Sequence, residues 1–132
     1  MPKPTVYLIH GIRTKDGEAT DKLKKYFEAA GYPVVELDYG YLQWFGARFL
    51  NRRMATLLTK VLQPRSIVVG HSNGCAIASR VADKGKAIAN LIMIQPALNN
   101  DWVPPENVQH MHVYYNKKDK ATWWSSFLIK HR

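Results

Sequence analysis

Short apolar runs alternate with amphipathic stretches along most of the chain. Val6-Tyr7-Leu8-Ile9, Val34 to Asp38, Ser66 to Gly70, Leu91 to Ile94 and His110 to Tyr115 have the length and apolar, β-branched character of strands. The first of these, read from Thr5 to Ile9, has no polar alternation, as expected of a parallel strand covered on both faces. Between the runs the spacing becomes helical. Thr20 caps a predicted helix that sets Leu23, Tyr26, Phe27 and Ala30 at i, i+3, i+4 and i+7 before Gly31 and Pro33 stop it. A longer helix is predicted from about Trp44 to Leu62, with Leu50, Met54, Leu57, Leu58 and Val61 on its apolar face. A third runs from Asn73 to about Lys84, closed by Gly85, and Ala76, Ile77, Ala78, Val81 and Ala82 make it apolar nearly all round. Residues 97–107, with Pro104-Pro105, read as an irregular connection, and Ala121 to His131 as a last helix carrying Trp123, Trp124, Phe127, Leu128 and Ile129.

Strands that alternate with helices in this way predict an α/β fold: a doubly wound, mostly parallel five-stranded sheet flanked by helices. The length of 132 residues fits one domain. Sheets of this kind bind ligands at the carboxyl ends of their strands. The residues with chemical potential fall there.

The most informative stretch is Ile67-Val68-Val69-Gly70-His71-Ser72-Asn73-Gly74-Cys75-Ala76, a strand that turns abruptly into a helix through Gly-x-Ser-x-Gly. Such a turn exposes its middle residue on a strained point and tolerates only tiny side chains two positions to either side. Ser72 is therefore the candidate nucleophile, at a helix N-terminus whose unpaired amides and dipole favour the negative charge of acyl transfer. Val6 to Ile9 likewise ends in His10-Gly11. A strand ending in His-Gly, followed later by strand-Gly-His-Ser-x-Gly-helix, resembles the α/β-hydrolase family over the span from about Val6 to about Asp119. The resemblance implies a minimal core of that family without its last strand.

It also implies roles. The backbone amide after His-Gly, which falls on Ile12, would join that of Asn73 in an oxyanion hole. His10, Gly11 and His71 would border the substrate crevice, with His10 hydrogen-bonded to the neighbouring loop. Serine needs a base, and the base needs a carboxylate to hold its tautomer. Asp119, in the turn Asn116-Lys117-Lys118-Asp119, matches the family's acid loop, and Asp101 is the substitute. In the family the histidine follows one more strand, but this sequence ends thirteen residues after Asp119, and the only histidine downstream is the penultimate residue, His131. His110 and His112 lie too deep in a strand, and His71 diverges from its neighbour Ser72. Two readings of the base stay open: a C-terminally shortened chain whose missing piece carried it, or recruitment of His131. The expected function is hydrolysis of an ester, thioester or related acyl compound. The alternative is a catalytically impaired binding protein that keeps the same crevice.

Composition changes this picture little. The single Cys75 excludes an internal disulfide and reads as a small core residue. The formal charge of +9 comes from 19 basic residues set against 10 acidic ones, and the basic ones are scattered, among them Lys22, Lys24, Lys25, Arg48, Arg52, Arg53, Lys117, Lys118 and Lys120, which reads as a solvated basic surface rather than a nucleic-acid site. No signal-like N-terminus and no apolar run near ~20 residues is present, so a cytoplasmic protein without a membrane span is expected. The aromatic group Tyr39, Tyr41, Trp44, Phe45 and Phe49 reads as cover for the sheet edge or as pocket lining. The chemistry needs no cofactor or metal, the expected partner is a small-molecule acyl substrate, and a homodimer through the uncovered sheet edge is the corollary of a missing last strand.

Overall fold

The computed structural model describes residues 2–10, 18–37, 47–96, 98 and 101–114. In chain order their elements are β1 (Val6–Ile9), α1 (Glu18–Ala29), β2 (Val34–Leu37), α2 (Ala47–Val61), β3 (Ser66–His71), α3 (Asn73–Asp83), β4 (Ile88–Ile94) and β5 (Val108–Tyr114). The strands form one sheet in the order β2-β1-β3-β4-β5, and every pairing is parallel. The expected α/β sheet is thus present, wholly parallel among the described residues.

The chain steps from β1 outward to β2, then returns past β1 to β3 and continues to β4 and β5. Right-handed crossovers therefore put α1 on one face and α2 with α3 on the other. Burial follows that division. Tyr7, Ile9, Val68, Leu91, Met93 and Met111 of the sheet pack with Ala55, Leu58 and Leu62 of the α2 side and Cys75, Ile77, Ala78, Val81 and Ala82 of α3. On the opposite face Val6, Leu8, Ile67 and Val69 meet Leu23 and Phe27 of α1, with Tyr32 and Val34. All four residues of β1 are buried because it has covered neighbours on both faces.

Three sequence expectations are corrected. Tyr26 is 72% exposed, because α1 touches the sheet through Leu23 and Phe27 and leaves Tyr26 edge-on to Phe27 at a centroid distance of 6.0 Å. Leu57 and Val61 of α2 are also exposed, whereas Asn51, Ala55, Leu58 and Leu62 are buried. The helix is rotated so that an asparagine enters the interior. Finally, β4 begins at Ile88 rather than Leu91, since Asn90 pairs with Ile67 on one side and His110 on the other instead of lying in a loop.

The entry to β5 is fastened to α3. Asn107 donates its Nδ2 to the carbonyls of Ala82 and Lys86, both at 2.8 Å, and the indole N–H of Trp102 reaches the Asp83 carboxylate at 3.1 Å. The predicted helix Ala121 to His131 lies outside the described residues, as do Tyr39, Tyr41, Trp44, Phe45 and the side chain of Phe49. No helix among the described residues is long and apolar enough to cross a membrane.

Candidate active site

Strand register sets the level of the site. Leu37, Ile9, Gly70, Met93 and Val113 occupy one row across the sheet, so His10 leaves β1 beside the point where His71 and Ser72 leave β3. This is the carboxyl edge, where the winding reverses between β1 and β3 and a crevice opens in sheets of this class.

Ser72 adopts φ 53° and ψ −116° between the last residue of β3 and the first of α3. A side chain rarely takes this conformation, and holding it costs on the order of 1–3 kcal/mol. The flanking glycines explain how the turn closes. A Cβ on Gly74 would stand 2.1 Å from the Ile9 carbonyl oxygen and 2.9 Å from that of His10. One on Gly70 would stand 2.9 Å from the Cα and N of Cys75 and from the Gly74 oxygen. All these obstacles are backbone. The helix start thus presses against β1 and folds tightly over β3, and only hydrogen fits at either position.

The Ser72 N–H donates to the Ile94 carbonyl at 2.9 Å, tying the turn to β4, while the Ser72 carbonyl accepts from the Cys75 N–H at 3.0 Å. The hydroxyl makes no capping bond to the helix, although serine at this position commonly does. Ser72 is half-buried. Asn73 is the first residue of α3, so its backbone N–H lies beside the serine.

His71 and His10 flank the turn. Burial lowers the pKa of His71 from 6.5, and repulsion from His10 adds to the effect. Its Nδ1 is buried without a hydrogen-bond partner among the described residues, which opposes the imidazolium, in which both nitrogens carry protons. Both effects favour the neutral form of His71. Cys75 is fully buried, its thiol donating to the Gly70 carbonyl at 3.1 Å, and burial pushes its pKa up to about 12. It is a packing residue, as its setting among Ala and Ile implied.

Of the residues singled out from sequence, Ser72, Asn73, His10 and His71 converge at this edge. Gly11, Ile12, Asp119 and His131 lie outside the described residues. Asp101 is exposed in the connection before β5. His112 is level with Val69 and His110 with Ile67 through β4. At ~3.3 Å per residue and ~4.8 Å per strand, His112 sits about 7 Å below the His71 row and two strands away. Neither histidine can serve Ser72. A groove of about 400 Å³ lined by Pro104, Pro105, Val108 and His110 lies along the first half of β5, away from the serine.

Two residues escaped the sequence reading. Gln95, just past β4, has φ 46°, a second left-handed non-glycine residue at the same edge, and its N–H donates to the Tyr114 carbonyl at 2.7 Å. Nothing in its sequence context signals this. Asn51 of α2 pairs with Asn73 through two side-chain amide bonds of 3.1 and 2.9 Å. A polar residue on the apolar face of a predicted helix was the available signal.

No family model and no curated protein matches the sequence. Among solved structures, the fold is similar to that of an extracellular α/β-hydrolase from a Paenibacillus species, described as sharing structural and functional homology with tobacco salicylic acid binding protein 2. The identity is 17% and the TM-score 0.57 over 74% of this chain, which spans 42% of that neighbour's length. At this identity the likeness speaks for architecture, and it does so for the same one that register and winding give: a parallel α/β core of the kind found in an α/β-hydrolase.

Proposed function

We propose that the chain is a serine hydrolase acting on an ester, thioester or related acyl substrate, with Ser72 as nucleophile. The observation that carries this reading is the left-handed Ser72, held at φ 53° between two glycine positions closed to any side chain. A fold has no reason to keep a non-glycine residue there for stability alone, since glycine would remove the strain.

In the proposed chemistry the Ser72 Oγ attacks the acyl carbon as its proton passes to a histidine, with His131 in that role and Asp119 holding the imidazole. The amides of Asn73 and Ile12 take the oxyanion. Collapse of the tetrahedral intermediate expels the alcohol or thiol, which receives the proton from the histidine, and water then repeats the sequence to free Ser72 and release the acid. His71 is a poor base by comparison because burial disfavours its protonated form.

A second reading is favoured by the position of the described histidines: His110 and His112 are remote from Ser72, and His71 precedes it on the strand. On that reading the crevice binds a small molecule without turning it over. Hydrolysis of a short p-nitrophenyl ester separates the two. The enzyme reading expects turnover that falls ~10⁴-fold or more in Ser72→Ala and in whichever of Asp119→Ala and His131→Ala removes the relay. Turnover that Ser72→Ala leaves unchanged would exclude it.

A further inference from the structure

We infer that Asn51 is a positioning residue for the chemistry at Ser72: its paired-amide contact with Asn73 fixes the first turn of α3, which bears the oxyanion donor. The inference rests on the reading of Ser72 as a nucleophile.

Asn51 is only 7% exposed, on a helix face whose other buried members are Ala55, Leu58 and Leu62. An amide buried among apolar side chains is unfavourable unless its donor and acceptor are both met. Here both are. Asn51 Nδ2 donates to Asn73 Oδ1 at 3.1 Å, and Asn73 Nδ2 donates back to Asn51 Oδ1 at 2.9 Å. Two reciprocal bonds fix orientation as well as distance, which a single bond or an apolar contact would not do. The contact stands at the right height, because α2 starts above the carboxyl edge and runs back toward the beginning of β3, so that its early turns lie level with the elbow.

Asn73 is the residue whose backbone N–H heads α3 next to Ser72. A shift of the first turn of α3 away from the crevice would carry the Asn73 side chain off its partner. The strained turn is then held from three directions: Gly74 abuts the end of β1, the Ser72 N–H is bound to Ile94 of β4, and Asn73 is bound to α2. A conformation that costs energy persists only when its surroundings over-determine it. The first two restraints act on the backbone of the turn, and Asn51 supplies the third.

The test is the rate of fluorophosphonate labelling at Ser72, followed by intact mass, with rate and final stoichiometry recorded separately. Asn51→Leu, of similar volume, is expected to label ~10- to 100-fold more slowly than wild type while reaching the same end point, a loss bounded by that of an oxyanion donor. Asn51→Asp is expected to be slow at pH 8, where a carboxylate faces the Asn73 oxygen. Its rate relative to wild type should rise toward acid, where the neutral carboxyl regains one donor and one acceptor. Should Asn51→Leu fail to fold, that pH-dependent ratio decides, and a flat ratio overturns the inference. So does a wild-type rate in both variants, or a lowered end point at unchanged rate, which marks a purely structural residue. Labelling of wild type with no effect of Asn51 defeats the positioning role alone, whereas no labelling of wild type defeats the nucleophile and the positioning role together.

Discussion

Replacing Gly74 by alanine tests how the elbow is built. The added Cβ would lie 2.1 Å from the Ile9 carbonyl oxygen, 2.8 Å from its carbon and 2.9 Å from the His10 oxygen. Non-bonded carbon contacts settle near 3.5–4.0 Å, so the start of α3 must withdraw from β1 by roughly 1 Å at the least. No flexible side chain can yield instead, because every obstacle is main chain. Overpacking of this kind costs about 1–3 kcal/mol, and rigid neighbours on both sides place this case at the upper end. For a chain of 132 residues, about 3 kcal/mol lowers Tm by roughly 10 °C. The same retreat moves the Asn73 amide and Ser72 relative to the end of β1, and a displacement near 1 Å costs on the order of 10²-fold in rate. Thermal unfolding and fluorophosphonate labelling measure the two effects. Two comparisons keep them separate. Gly70→Ala meets backbone only at 2.9 Å and is expected to lose about 1–2 kcal/mol. Gly85→Ala, at φ +94° with nothing within 4 Å, is expected to cost about 1–2 kcal/mol of strain and leave the labelling rate unchanged. The reasoning is refuted if Gly74→Ala melts with wild type and labels at the wild-type rate.

Ser72→Gly should raise stability by about 1–2 kcal/mol, because glycine adopts φ 53° without strain, while abolishing labelling; a lower Tm would show that the turn is not strained. Ser66, 1% exposed with its Oγ unpartnered among the described residues, should be improved by Ser66→Ala by ~1 kcal/mol in urea unfolding, since a desolvated hydroxyl is removed. Loss of stability there would reveal a partner for the hydroxyl. For His71 the folded pKa is lowered by burial and by His10, so below pH 6.5 the unfolded chain takes up a proton that the folded chain resists. Stability should therefore fall as pH drops from 6.5 through the lower folded value, and His71→Asn should flatten that decline; an unchanged slope would place the linkage elsewhere.

The sequence carries the sheet and the elbow well because each rests on a rule with little freedom. Unbroken apolar runs such as Val6 to Ile9 can be buried on both faces only inside a parallel sheet, and Gly-x-Ser-x-Gly after Ile67 to Val69 has a steric reason at each glycine. Helix faces are less legible. Leu57 and Val61 compete with Ala55 and Leu62 for the interior of α2, and the outcome turns on Asn51, whose burial depends on a partner 22 positions away. The same holds at Asn90, where a polar residue inside β4 is supported by neighbours on two other strands, including His112 at 3.4 Å. Pairings of that kind leave no periodic trace. Ser72, Asn73, His10 and His71 come together because strand ends in a parallel sheet share an edge. Ile12 and Asp119 are legible only through the family resemblance, and His131 only as the one histidine that follows Asp119 in the chain.

The most direct measurement is peptide mapping of the wild-type chain after exposure to a fluorophosphonate at neutral pH. An activated serine at the elbow gives one phosphonate adduct, on the peptide containing Ser72, and none in Ser72→Ala. A chain that stays unmodified, or is modified elsewhere, contradicts the assignment of Ser72 as a nucleophile.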